Sequence, residues 1–538
     1  MSKRRIYIFD TTLRDGQQTP GIDFSLDDKI HIAGLLDNLG VDYVEGGYPG
    51  ANPTDTNFFS KTRTEHATFT AFGMTKRAGV STSNDPGLNA LLQAGGSAVC
   101  FVAKSWDYHV EIALGCTNEE NLETISDSVR ATVAVGKEPL VDCEHFFDGY
   151  KANPKYAISC AKTAYDAGAR WVVLCDTNGG TLPHEILTIV KKLVDSGIPG
   201  ENIGIHAHND TGQAVANSLA AIEAGACQIQ GTLNGIGERC GNANLTTIIP
   251  TILLKPFYAS RFELAIAEDK LKNITQTSRA FDELLNRPPE AQSPYVGSSA
   301  FATKAGIHAS ALLKDPKTYE HIVPESVGNS RKVMVSDQGG KSNFIDALTR
   351  RGIEVDKDDP RLDTLISLLK DREAVGYAYE GADASFELLA LRTLGSVPTY
   401  FRVDSFRVMV ERRFDAQGQL KTISEAVVKA EIDGHSAMSV AEGHGPVNAL
   451  DNALRKDLGK YQAEISDLEL VDYKVRILNG GTAATTRVLI ESRDSSGQRW
   501  STVGVSENII DASFQALMDS VVFKLMKNRK LAGLVAAE

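Results

Sequence analysis

The chain is 538 residues long, 42% hydrophobic and 23% charged, with a formal net charge of −13. That length exceeds a single hydrophobic core and predicts about two to four domains of ordinary globular composition. The acidic balance excludes an electrostatic footprint for nucleic acid, and no run approaches the roughly 18 apolar residues that a membrane helix needs.

Seven cysteines, scattered and without a CxxC pair, point to free thiols in a reducing cytoplasm. The basic start MSKRRIYIFD has no apolar h-region, so no secretory signal is expected. From residue 6 to about 260, short apolar runs alternate with amphipathic ones. Strands are predicted at 6–9, 43–45, 69–72, 98–103, 140–144, 171–175, 203–206 and 228–231. Helices are predicted at 25–39, 119–135, 154–167, 184–195 and 213–224. Gly40, Gly95, Gly168 and Gly225 are read as C-caps of helices. Eight strands alternating with helices over this span predict a (β/α)8 TIM barrel. The competitor is an open doubly wound sheet, but the GxGxxG after strand one that would favour it is absent.

Residues 286–340 are rich in Pro, Gly and Ser and read as a connecting arm. Helices are expected at 341–351, 362–371 and 384–393. Farther on, DGHSAMSVAEGHGPVNALDNAL (433–454) aligns without gaps on SGQRWSTVGVSENIIDASFQAL (496–517). Gly434/Gly497, Val440/Val503, Ala449/Ala512, Ala453/Ala516 and Leu454/Leu517 are identical. Each copy reads as strand, turn, strand and helix, a duplicated ββα-type unit. The division expected is therefore a catalytic barrel at 1–275, a linker with helical subdomains at 276–398, and an α+β regulatory domain at 399–538.

In such a barrel the chemistry lies at the C-terminal ends of the strands. Those ends carry Arg14 and Asp15, Glu45, Glu144 and His145, Asp176 and Thr177, His206 and His208, then Glu238, Arg239 and Asn242. Alternate residues of a strand share a face, so His206 and His208 in IHAHND both point into the mouth. Alone they are also compatible with satisfied polar residues. With Asp15 on a neighbouring strand they make a His2Asp set suited to Mn2+, Zn2+, Co2+ or Mg2+. Arg14 then either polarises a substrate oxygen or forms a structural ion pair with Asp15. The glycines of GIGERCGN are read as allowing close backbone approach, since the loop lacks the ending of a phosphate-binding loop. Cys143, Cys175 and Cys240 are expected to be buried and inert. Tyr48, Met74 and Phe101 are expected to set the depth of the substrate pocket.

FDTTLRDGQQTPG, IHAHND and GTLNGIGERCGNANL together resemble the isopropylmalate/homocitrate/citramalate synthase family, and the resemblance spans the whole chain. EGGYPGANPTD and DCEHFFDGYKANP are more similar to its citramalate branch. The resemblance implies an acyltransferase that condenses acetyl-CoA with pyruvate, hydrolyses the thioester, and releases (R)-citramalate and CoA on the way to isoleucine. The alternative is 2-oxoisovalerate as acceptor, the isopropylmalate reaction of leucine biosynthesis. It further implies that Asp15, His206, His208 and Asn242 hold the divalent metal ion. Arg14 would meet the keto oxygen, Thr177 the substrate carboxylate, and either Glu144 or the His308 region would act as base. His308 and Tyr319, in AGIHASALLKDPKTYEH, would be supplied by the arm. A homodimer and an amino-acid effector, isoleucine, at the C-terminal domain are also implied.

Overall fold

A computed structural model describes residues 3–61, 64–333, 341–479 and 484–535. It divides into two compact units, one formed by Met1–Phe301 with Glu320–Arg331, the other by Ala302–Tyr319 with Lys332–Glu538.

The first unit is built on a closed parallel barrel of eight strands: β1 (Tyr7–Asp10), β2 (Tyr43–Gly47), β3 (Thr68–Met74), β4 (Ala98–Lys104), β5 (Glu138–Glu144), β6 (Trp171–Asp176), β7 (Ile203–Ala207) and β8 (Gln228–Gly231). Each follows its predecessor in the sheet, and β8 closes on β1 through the pairs Tyr7–Gln228 to Asp10–Gly231. All eight strands lie where the apolar runs predict them, and the closure excludes the doubly wound alternative. Strands buried on both faces read as near-continuous apolar runs, which is why they are legible.

The helices close the outer layer. Leu26–Leu39 starts from a capping box between Ser25 and Asp28 and ends at Gly40, whose φ of 94° suits glycine. Gly95 has a different task from the cap expected of it. It has no positive φ, and a Cβ there would lie 2.4 Å from the Phe59 carbonyl oxygen. It is a close-approach glycine against helix Pro53–Lys61.

The main core fills the space between strands and helices. A smaller one, with Phe9, Tyr43, Cys100, Leu140 and Trp171, fills the barrel interior below the mouth. There the Trp171 indole N–H donates to the Tyr43 hydroxyl at 3.0 Å, and that hydroxyl donates to Glu138 at 2.7 Å. The lower barrel is thus packed shut, which leaves the upper rim for chemistry.

In the second unit, helices Lys341–Thr349, Pro360–Ala374 and Asp383–Thr393 share one core with two antiparallel sheets. One sheet runs β9 (Arg402–Phe414), β10 (Leu420–Ile432), β11 (His435–Gly443), followed by helix Pro446–Lys456. The other runs β12 (Glu469–Ile477), β13 (Thr486–Arg493), β14 (Arg499–Ser506), followed by helix Ile509–Val535. The ββα pattern is present in both copies, and each carries one further strand in front of it, β9 and β12.

The residues that match between the copies do equivalent structural work. Gly434 and Gly497 turn the hairpins at φ 79° and 80°. Ala449, Ala512, Ala453, Ala516, Leu454 and Leu517 are all buried where helix meets sheet. Val440 and Val503 are the exception: Val503 is buried, whereas Val440 is exposed.

Candidate active site

The mouth of the barrel holds a cavity of about 260 Å³ lined by Arg14, Asp15, Gln18, Phe72, Val102, Asp142, Glu144, Cys175, Thr177, His206, His208 and Glu238. Seven strand-end residues singled out from the sequence therefore converge here: Arg14, Asp15, Glu144, Thr177, His206, His208 and Glu238. Asn242 joins them from the loop after β8, where its amide nitrogen meets Asp15 Oδ2 at 2.5 Å.

The chain reaches this arrangement through the turn after β1. Asp10 is fully buried and accepts from the Thr12 amide and hydroxyl, and Thr12 Oγ1 accepts from the Leu233 amide. Asp10 and Thr12 are therefore turn-forming groups, and they aim the next polar residues, Arg14 and Asp15, at the cavity.

His206 Nε2 lies 3.1 Å from Asp15 Oδ2 and 3.3 Å from His208 Nε2, and His208 Nε2 lies 3.8 Å from the same oxygen. Two imidazole nitrogens facing each other and one carboxylate oxygen share at most one useful proton between them, but all three can share one cation. The Asn242 oxygen and His208 Nδ1 are buried without a partner among the described residues. Rotating the Asn242 amide by half a turn would present its oxygen to the same point. This donor set fits a divalent ion of the mixed N/O class. Behind it, His206 Nδ1 donates to Gln230 Oε1 at 2.8 Å, and Gln230 Nε2 donates to Asp142 at 2.9 Å. That chain fixes the ring so that Nε2 faces the cavity.

The electrostatics follow from burial and neighbours. Burial opposes the Asp15 charge, but Arg14, His206 and His208 outweigh it and hold the carboxyl well below its usual range. Burial alone would lower His206; its bond to Asp15 and that charge raise it instead. His208, buried beside His206, is pushed down to about 4. One proton, on His206, therefore competes with a metal ion between pH 5 and 6. Metal affinity is expected to fall about tenfold per pH unit there and more steeply below about pH 4. Competition titration with a chelating indicator across this range measures the slope; a flat profile would contradict the ligand assignment.

Arg14 is held on three sides. Its Nε donates to Glu45 at 2.7 Å, its Nη1 lies 3.4 Å from Asp15, and its guanidinium covers the Phe72 ring at 3.9 Å. The sequence left open an ion pair with Asp15 or a catalytic role. The geometry gives both contacts, the direct bond to Glu45 through Nε and the ion pair with Asp15 through Nη1, while Asp15 Oδ2 faces the histidines. Glu45 is fully buried; burial, with Asp142 nearby, raises its carboxyl against the pull of Arg14.

Thr177 accepts the His145 backbone N–H at 2.9 Å, which leaves its hydroxyl proton for another partner. Glu144 is ion-paired with Lys104, a residue that strand-end reading did not single out. Gly237, with φ 155°, lies where a Cβ would come within 2.1 Å of the Asn242 oxygen, so the close-approach reading of GIGERCGN is borne out.

Three expectations are corrected. Cys240 is exposed, because its loop carries Glu238, Arg239 and Cys240 outward; Cys143 and Cys175 are buried as expected. Phe101 belongs to the core between strands and helices, since alternation along β4 turns Val102 inward in its place. Met74 is 36% exposed at the end of β3, and Phe72, two residues earlier, makes the wall, with the Tyr48 ring edge-on behind it at 6.4 Å.

His308 and Tyr319 belong to the second unit, where their rings stack at a centroid distance of 4.3 Å. Sequence reasoning missed Gln230, Lys104 and Asp142. The signal for Gln230 was its place in QIQG, a polar residue in a strand that is buried throughout.

Residues 5–279 match the HMGL-like family model, 295–373 a homocitrate synthase post-HMGL domain-like model, and 380–525 the LeuA allosteric (dimerisation) domain model. The (R)-citramalate synthase of Aquifex aeolicus is 50% identical over 98% of this chain and 99% of its own length. The chain belongs to the (R)-citramalate synthase family. The family member of Geobacter sulfurreducens is 48% identical over 98% of this chain and 99% of its own. A 2-isopropylmalate synthase of Methanocaldococcus jannaschii is more distant, 32% identical over 98% of this chain and 96% of its own. The (R)-citramalate synthase family thus accounts for barrel, arm and C-terminal repeat together.

Proposed function

We propose that the barrel mouth condenses acetyl-CoA with pyruvate, and that hydrolysis of the resulting thioester gives (R)-citramalate and CoA. The observation that carries this reading is the convergence of Asp15, His206, His208 and the Arg14–Glu45 pair on one cavity, in a chain with full-length citramalate synthase relatives.

Asp15, His206 and His208, with Asn242 beside them, are the residues that would hold the divalent ion. Bound there, the ion supplies Lewis acidity to a keto oxygen. Arg14 lies on the same side and donates its remaining N–H groups to the oxygen on which negative charge develops. Thr177, its own acceptor position filled by the His145 amide, donates its hydroxyl to the keto-acid carboxylate. Glu144 reaches the cavity and takes the proton from the acetyl methyl group, with Lys104 as its ion-pair partner. His308 and Tyr319 enter the proposal as groups supplied by the arm, on the resemblance of their segment alone.

Phe72 and Val102 make the apolar wall, and the small cavity suits a methyl group better than an isopropyl group. The proposed partners also include a second copy of the chain and isoleucine, acting through the C-terminal unit. Support comes from the LeuA model match and from exposed apolar strand residues there, Met438, Phe414 and Ile477. Among the described residues no helix is long and apolar enough to cross a membrane. The seven cysteines are free, which suits the cytoplasm.

Thiol release from acetyl-CoA tests the reaction. It is expected to require pyruvate, to stop when the protein is stripped by a chelator, and to return when Mn2+ or Mg2+ is added. Pyruvate-dependent release that persists in the stripped protein would refute the assignment of Asp15, His206 and His208.

A further inference from the structure

Helix Leu26–Leu39 carries a lysine that the mechanism does not use. Lys29 is fully buried. Its ammonium donates to the Leu13 carbonyl at 2.9 Å, to the Gly46 carbonyl at 3.2 Å, and to the Asp55 carboxylate. An ammonium has three N–H donors, and all three are used. Asp55 in turn accepts from the Tyr48 amide and the Asn52 side chain, both at 2.9 Å.

The two carbonyls are those of the neighbours of Arg14 and Glu45. Leu13 precedes Arg14 in the turn after β1, and Gly46 follows Glu45 near the end of β2. Strands β1 and β2 pair only at Phe9–Tyr43 and Asp10–Val44, below this level. Above that point, among the described residues, the two strand ends are bridged by the Arg14–Glu45 bond and by the Lys29 ammonium. The Tyr48 amide, on the same Asp55, fixes the backbone of the residue that backs Phe72. Taking an ammonium and a carboxylate out of water is costly, and an apolar pair of similar volume would fill the space at least as favourably. What the ionic pair adds is direction: two bonds from one ammonium to the two strand ends, with the third to Asp55 holding it in place.

We propose that Lys29, locked by Asp55, is a positioning residue for the condensation, setting Arg14 and Glu45 at the spacing that the reaction requires. This rests on the reading of Arg14 as the group that meets the keto oxygen. A misplacement of the order of 1 Å, even from a residue away from the chemistry, lowers turnover about 100-fold.

The test uses Lys29→Met and the double variant Lys29→Met/Asp55→Leu in the full chain. The single variant leaves Asp55 buried without its cation and loses stability. The double variant removes both charges and recovers part of the thermal midpoint, the rest being lost with the partners of the Leu13 and Gly46 carbonyls and the Tyr48 amide. A positioning role predicts that the double variant still shows a kcat about 100-fold below wild type, with the KM for acetyl-CoA and the Mn2+ affinity within about threefold. Wild-type kcat in the folded double variant overturns the proposal, and so does a loss of kcat that merely tracks a loss of Mn2+. The same assay on Arg14→Lys separates this inference from the reading beneath it. No loss in Arg14→Lys overturns the role of Arg14; a loss there with none in the double variant overturns Lys29 alone.

Discussion

Asp15→Asn is expected to lower kcat about 1000-fold, because the Lewis-acid contribution lost with the ion is several kcal/mol and each 1.36 kcal/mol is a factor of ten. The fold should survive. Asparagine has nearly the same volume, Arg14 keeps its bond to Glu45, and the Asn242 amide keeps an acceptor. Metal affinity should fall with activity, since Asp15 supplies the only carboxylate oxygen within reach of both His206 Nε2 and His208 Nε2 in the cluster. Turnover and Mn2+ binding measured side by side, with far-UV circular dichroism as the control, check this. Near-wild-type turnover with full metal occupancy would remove Asp15 from the mechanism.

Arg14→Lys should lower kcat about 10²- to 10³-fold, the cost of losing one preorganised donor to developing negative charge. The substitution keeps the charge but loses the planar fork, and here the fork does three things at once. It bonds Glu45 through Nε, faces Asp15 through Nη1, and lies flat on Phe72. A lysine cannot meet all three. Metal affinity should change little, since Arg14 is not among the converging ligand atoms. The two variants are therefore distinguishable: Asp15→Asn loses metal and rate together, Arg14→Lys loses rate alone. Equal loss of Mn2+ in both would mean that Arg14 and Asp15 act as one ion pair.

Much of this was legible in the sequence, for identifiable reasons. The barrel strands read as apolar runs because both of their faces are buried, and HxH reads as a site because strand alternation is a rule with few exceptions. Asp15 was legible because a carboxylate at the same rim completes a His2Asp set with His206 and His208.

What was hidden depends on tertiary closure. Lys29 follows two aspartates in LDDKIH and reads as one more charge on an exposed helix turn; only the packed barrel turns it inward onto Leu13 and Gly46. Lys104 becomes part of the site only because β4 pairs with β5 in the register Lys104–Glu144. Phe101 and Val102 are both apolar, and the pleat of β4 decides which of the two faces inward. Strands β9 and β12 escaped notice because they are studded with charge, as in RVDSFRVMVERRF, and lie mostly exposed. An exposed strand carries little of the apolar signal by which a strand is read.

The central claim is that this cavity is built for pyruvate. The most direct measurement is kcat/KM for CoA release with pyruvate and with 2-oxoisovalerate, at saturating acetyl-CoA and Mn2+. Against the Phe72 and Val102 wall, the two additional carbons of the isopropyl group are expected to reduce kcat/KM at least about tenfold relative to pyruvate. A larger kcat/KM for 2-oxoisovalerate would contradict the account and assign the chain the isopropylmalate reaction instead.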